Sequence, residues 1–258
     1  MAEAAATVKG TRPEGAQNEA DASRKVREMF TEIAPRYDFL NHLLSLEMDR
    51  VWRARTARRL RPILQRDAQV LDLCCGTGDL AFALARGGPA QIIGADFSHA
   101  MLVRANTKSK TDSSRAPGDR IVRPVCLEAD ALRLPFADAS FDLVTTAFGF
   151  RNLTNYESGL KEIRRVLKTG GTLAVLEFSE PPPGLPGDLY RWYCRKVLPK
   201  IGGLLSGNPN AYKYLPASVA RFFRPKELAS LMSQVGYESV SYELWTLGSV
   251  ALHTAVKI

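Results

Sequence analysis

Between residues 69 and 178 the chain alternates two hydrophobic rhythms. Short apolar runs at 69–75, 91–96, 122–128, 141–146 and 172–178 are rich in Val, Leu, Ile and Phe and are bounded by Gly, Pro or Asp. That is the signature of buried strands. Between them, 80–86, 98–108 and 155–167 carry apolar residues at helical spacing. Strands alternating with helices predict an α/β fold with a doubly wound, mostly parallel sheet. Such sheets bind ligands beyond the carboxyl ends of the strands, where strand order reverses.

The flanks differ. Val26, Met29, Phe30 and Ile33, then Leu40, Leu43 and Leu44, give helical periodicity over 23–64, and Pro35 splits it into two helices. This segment is a helical cover for the site. Residues 1–22, rich in Ala, Gly and Glu without periodicity, read as a disordered tail, and with no apolar core they are no secretory signal. The polar stretch 107–120 reads as a loop. At Pro181-Pro182-Pro183-Gly184 the strand–helix rhythm stops, and 181–225 reads as an inserted substrate-binding element. A helix at 226–235, stopped by Gly236, precedes β runs at 239–246 and 249–257 that Leu247-Gly248 joins as an antiparallel hairpin. The expected organisation is one domain over 23–258.

Charge narrows the partners. The net charge is +8, with Arg50, Arg53, Arg55, Arg58, Arg59, Arg61 and Arg66 in one segment and Arg191, Arg195, Lys196 and Lys200 in another. These residues are either solvated helix faces or contacts for an anionic partner, nucleic acid or an anionic membrane surface. No apolar run reaches transmembrane length. The expectation is a cytoplasmic protein that touches the inner face of the membrane peripherally. The four cysteines form no CxxC pair, and His42, His99 and His253 are too scattered for a metal pair or a triad. Of the three, only His253 in the last strand merits a test.

The candidate chemistry begins where the first strand ends. Gly76 and Gly78 punctuate a turn that runs into a helix, where exposed amides and absent side chains let a cofactor approach closely. Asp79 in that turn would repel a pyrophosphate, which points to S-adenosylmethionine over NAD or ATP. Asp96 closes the second strand, where an adenosine ribose needs an acceptor for its hydroxyls; a helix-capping role is the alternative. Asp72 is an acid inside an apolar strand, so it must meet amides or an amine near the site. Asp130-Ala131 offers a carboxylate and an amide to an adenine. Arg164 to Gly171 reads as a helix end with glycine at its left-handed cap.

VLDLCCGTGDL, GADFSHAML, EADALRLPFADASFDLV and RRVLKTGG, in this order, resemble the successive motifs of class I S-adenosylmethionine-dependent methyltransferases with a Rossmann-like fold. Met29 to Asn41, Ala147 to Thr154, Leu176-Glu177-Phe178-Ser179, Tyr212-Lys213-Tyr214-Leu215 and Gly248 to His253 resemble the ubiquinone/menaquinone biosynthesis C-methyltransferases. The resemblance runs from about Val26 to the C-terminus. It implies methyl transfer to a ring carbon of a polyprenylated quinol, demethylmenaquinol or the ubiquinone benzoquinol precursor. Thr77, Asp96, Asp130 and Ala131 fall on its cofactor-contact positions. Cys75, Asp130 and Ala147 depart from the common glycine, asparagine and serine. Alkylating a quinol ring carbon requires a stabilised phenolate, a role suited to Arg151 with Asn152 as a hydrogen-bond partner. An arginine pKa is too high for a resting base, so a water relay stays open for the proton. Tyr37 and Asn41 close over the cofactor, although Tyr37 also suits a core position. Phe148, Tyr193 and Tyr212 belong with the aromatics that would take the prenyl tail. No metal and no nucleic acid are expected, and a homo-oligomer or a quinone-biosynthesis assembly stays open. The rival readings are an RNA methyltransferase on the same fold and a non-catalytic adenosine-binding subunit.

Overall fold

A computed structural model describes residues 10–111, 123–182, 184–193, 196, 214 and 217–258. The cover comprises α1 (Glu19–Ile33), a 3-10 turn (Ala34–Arg36), α2 (Tyr37–Leu44), α3 (Met48–Arg59) and α4 (Arg61–Leu64). Then come β1 (Gln69–Leu73), α5 (Asp79–Ala85), β2 (Gln91–Asp96), α6 (His99–Thr111), β3 (Val125–Glu128), β4 (Phe141–Ala147), α7 (Tyr156–Val166) and β5 (Leu167–Phe178). After these follow α8 (Leu185–Trp192), α9 (Pro225–Gln234), β6 (Tyr237–Trp245) and β7 (Val250–Lys257).

The strands form one sheet in the order β3-β2-β1-β4-β5-β7-β6. β1 to β5 are parallel, and β7 pairs antiparallel with both β5 and β6. The α/β, mostly parallel architecture expected from the alternation is thus the fold. Strand order reverses between β1 and β4, so their carboxyl ends frame the crevice. The central strands are almost wholly buried because helices cover both sheet faces. One face packs Leu160, Ile163 and Val166 of α7 with Leu228 and Met232 of α9; the other packs Trp52, Leu64 and Leu84 against Val70 and Leu143. β6 forms one edge and carries exposed Glu238, a charge that discourages pairing with another chain.

Several boundaries are corrected. α1 begins at Glu19, not residue 23, because Asn18 caps it by accepting the Asp21 N–H. The expected tail to residue 22 is placed from Gly10 onward. Thr11 N–H donates to Leu153 O at 2.7 Å, and a Cβ on Gly10 would come within 2.1 Å of Thr154 C. Pro35 divides the cover as expected, inside the 3-10 turn. β1 stops at Leu73, two residues early, because Cys74 turns to φ 55°. Gly170 is not a helix cap. α7 ends at Val166 with Leu167 already extended, and Gly170 (φ 79°) lies in β5 where the β4–β5 register shifts. α6 extends to Thr111, so 107–111 is helix, and the rest of the expected loop lies outside the described residues, as does Tyr212. Among the described residues no helix is long and apolar enough to cross a membrane.

Candidate active site

Two strand ends meet at the crevice, and both bend sharply. Cys74 after β1 and Phe148 after β4 adopt φ of 55° and 58°, a left-handed conformation uncommon outside glycine. Gly149 explains how they fit side by side: a Cβ there would lie 2.4 Å from Cys74 Cβ. Gly149→Ala is therefore expected to cost about 1–3 kcal/mol by overpacking. A thermal melt at the temperature of the unaltered protein would contradict this packing.

The bends lie at an open cleft, about 700 Å³ with the solvent at its mouth included, lined by Tyr37, Gly76, Asp96, Asp130, Ala131, Phe148 and Asn152, among others. A smaller pocket of about 320 Å³ adjoins it, sharing Tyr37, Cys74, Gly76 and Ala147 and adding Arg53, Asp72, Thr77 and Asp79. The shared residues join the two spaces, so a single ligand can reach from one into the other.

Two buried acids define its chemistry. Asp96 accepts the Gly76 N–H on one oxygen and the Ser98 N–H on the other, each at 2.8 Å. Burial raises its pKa to about 6 against those bonds. Asp72 accepts from Thr145 at 2.9 Å and is drawn toward ionisation by the Ala81 backbone N–H, while its Oδ2 has no partner at hydrogen-bond geometry. Burial pushes the Asp72 carboxyl up to about 7. A buried carboxylate oxygen without a partner is costly. At the wall of an open pocket, a ligand amine would relieve that cost. Asp130 accepts the Leu132 N–H at 2.9 Å and remains exposed beside buried Ala131.

Asp79 is not the free charge the turn suggested. Its carboxylate meets Lys108 Nζ at 2.6 Å and Arg53 at 3.6 Å. Burial opposes its ionisation, but Arg53 and Lys108 outweigh burial and hold its pKa below the ordinary value. The acid that greets a ligand is Asp72. Lys108 also bridges to Asp38 at 2.7 Å and donates to Thr77 Oγ1 at 3.0 Å, and Thr77 donates to Asp38. Arg53 pairs with Asp49, which His42 contacts at 2.7 Å. This network ties α2, α3 and α6 to the glycine loop, which places Tyr37 at the cleft; its hydrogen-bond partner Asn41 lines neither pocket. His42, Asp49 and Asp79 converge like metal ligands, but Arg53 already takes both carboxylates. Arg53 escaped the sequence reading because only its burial separates it from the arginines around it.

Arg151 and Asn152 sit together but face differently. The Arg151 side chain is buried and donates to Glu177 Oε1 at 2.8 Å, to Ser218 Oγ at 3.3 Å and to the Phe148 carbonyl. Its backbone N–H donates to Glu177 Oε2 at 3.2 Å. It is absent from the residues lining the cleft, and its contacts hold the 148–152 turn in shape. Asn152 does line the cleft and accepts from Tyr214. The Phe148 ring packs against Phe178 at 4.5 Å and Trp52 at 5.9 Å. Tyr193 is half-buried and lines neither cavity. His253 is buried in the sheet, with Nε2–H donating to Pro225 O at 2.8 Å; it anchors α9 and has no place at the cleft.

The chain is 49% identical over 226 residues to a demethylmenaquinone methyltransferase of Thermus thermophilus, covering 87% of this chain and 98% of that one. It is 41% identical over 239 residues to the ubiquinone/menaquinone biosynthesis C-methyltransferase UbiE of Geobacter sulfurreducens, covering 92% and 90%. In fold it is similar to a SAM-dependent methyltransferase from Aquifex aeolicus (TM-score 0.55, 17% identity, covering 78% of this chain and 88% of that one). It is also similar to the Haemonchus contortus phosphoethanolamine N-methyltransferase 2 in complex with S-adenosyl-L-methionine (TM-score 0.52, 15% identity, covering 73% and 48%). The sequence profile of the ubiE/COQ5 methyltransferase family matches residues 18–257, and the chain belongs to that family.

Proposed function

We propose that this protein transfers the methyl group of S-adenosylmethionine to a ring carbon of a polyprenylated quinol, with demethylmenaquinol as the preferred acceptor and the ubiquinone benzoquinol precursor as the alternative. The observation that carries this reading is the pair of buried acids in two adjoining pockets that share Tyr37, Cys74 and Gly76. Asp72 keeps an unsatisfied oxygen for an ammonium, and Asp96, pinned by two amides, accepts from a ribose diol. When bound, the cofactor supplies an electrophilic sulfonium methyl.

The chain's residues do the rest. Asp130 and Ala131 face the adenine end, while Gly76 keeps the backbone clear; Gly78 lines neither pocket, and a Cβ there would instead meet Phe82 at 2.9 Å behind the loop. Tyr37, bonded to Asn41, closes from the cover. Phe148 and Asn152 form the wall toward the acceptor ring. Arg151, neutralised by Glu177, holds that wall from behind. A new carbon–carbon bond forms as the carbon–sulfur bond breaks, and the displaced ring proton leaves to solvent. Incubation with the cofactor and demethylmenaquinol should give a C-methylated product by mass spectrometry. An O-methylated product, methylated RNA alone, or no turnover despite tight cofactor binding would reject this function.

The acceptor's tail implies contact with a membrane. Leu185, Leu189 and Trp192 follow helical spacing along α8 and are 85%, 63% and 57% exposed. Co-sedimentation with anionic vesicles should fall about tenfold when Leu185 and Leu189 are both changed to serine. Unchanged sedimentation would remove α8 from the membrane contact.

A further inference from the structure

Asn152 is the one amide side chain among the described residues lining the cleft, and its orientation decides what that wall recognises. The Tyr214 hydroxyl donates to Asn152 Oδ1 at 3.0 Å. A phenol has one hydrogen to give. Thr11 Oγ1, 2.9 Å from the Tyr214 oxygen, is therefore the donor in the next link. Thr11 is itself held in place, since its N–H donates to Leu153 O at 2.7 Å and Arg12 donates to Thr154 O at 2.8 Å. The opposite orientation of the amide is disfavoured on its other side. Nδ2 lies 3.5 Å from Phe148 O, which already accepts from Arg151, so a swap would set two acceptors face to face. Nδ2 carries two hydrogens, and Phe148 O takes at most one.

We infer that Thr11 and Tyr214 are positioning residues that lock Asn152 with its N–H side toward the cleft, making it a donor selective for a deprotonated ring oxygen of the acceptor. This rests on the quinol methylation proposed above and adds the polarity of the wall. A neutral hydroxyl both donates and accepts, whereas a phenolate only accepts. A fixed donor therefore favours the phenolate and lowers the pKa of the bound hydroxyl. The phenolate is the form that pushes electron density onto the ring carbon. No residue of the chain need take the proton permanently; it is lost to water.

The test compares the full-length protein with Tyr214→Phe, Thr11→Val and Asn152→Asp. Cofactor affinity is read by calorimetry, and kcat and KM are read against pH with demethylmenaquinol. Tyr214→Phe should keep cofactor affinity, lower kcat about tenfold and move the acidic limb of the kcat profile up by about one unit. Thr11→Val should move both in the same direction by less. Asn152→Asp should lose the most turnover, because a carboxylate there repels the phenolate. Tyr214→Phe with an unmoved acidic limb, even at a lower melting temperature, would overturn the inference, as would wild-type turnover by Asn152→Asp. Failure of the unaltered protein to methylate the quinol would instead bring down the reading beneath it.

Discussion

Arg151→Ala is expected to cost about 3–5 kcal/mol of stability and to abolish most turnover, because it leaves Glu177 charged and unpaired in the core. Glu177 is 1% exposed on β5, and its partners are the Arg151 guanidinium, the Arg151 N–H and the Phe178 N–H. Burial already raises the Glu177 pKa against the pull of Arg151. Against a typical total of about 5–15 kcal/mol, losing the cation takes a large share of the margin. The single variant therefore cannot separate catalysis from folding, but a double one can. Arg151→Met with Glu177→Leu removes both charges and is expected to recover most of the stability, as replaced buried pairs do. Turnover should stay low, because the Phe148 carbonyl loses its guanidinium donor and the 148–152 turn loses its clamp. Denaturant titration and single-turnover rates measure the two effects. A double variant that regains turnover along with stability would reduce Arg151 to a structural residue. An Arg151→Ala protein as stable as the original would contradict the buried pair.

The sequence carried the fold because its signals are local. Alternating apolar runs, Gly76 and Gly78 at the turn, Pro35 in the cover and Asp96 at a strand end each act on their own neighbours. The site's pairings are not local. Glu177 lies 26 residues from Arg151 and Lys108 lies 29 from Asp79, so neither partner is visible from spacing. One further signal is local. Asp72 stood out as an acid inside an apolar strand, and Glu177 in Thr172 to Phe178 satisfies the same criterion. Applied evenly, that criterion picks both buried carboxylates. Asp79 shows the converse error: its charge was read as free because the bases that compensate it come from α3 and α6. The ordering of Gly10 to Arg12 had no signal at all, since a strap pairing with residues 153–155 leaves no periodicity of its own.

Asp72→Asn should stabilise the cofactor-free protein at pH 8 while weakening cofactor binding. Asp72 has its folded pKa raised to about 7 from an ordinary 3.8. The folded state thus keeps a proton that the unfolded chain releases between about pH 4 and 7, and stability falls as pH rises through that window. The full penalty above pH 7 is on the order of 4 kcal/mol. Asparagine cannot ionise, and its Oδ1 can still accept from Thr145. Its buried NH₂ without a partner costs about 1–3 kcal/mol, leaving a net gain of about 2 kcal/mol at pH 8 and a net loss near pH 4. Binding moves the other way. Losing a charge-assisted bond to an ammonium costs about 1.5–3 kcal/mol, or roughly 10- to 150-fold in affinity. In the unaltered protein the carboxyl must shed its proton before it meets a cation. Affinity should therefore rise up to about tenfold per pH unit below 7 and level off above, with proton release detectable by calorimetry in buffers of different ionisation enthalpy. The variant should show neither the slope nor the proton release. Wild-type affinity in Asp72→Asn at pH 8 would place the amine of the cofactor elsewhere, and a lower melting temperature there would contradict the buried-carboxylate penalty.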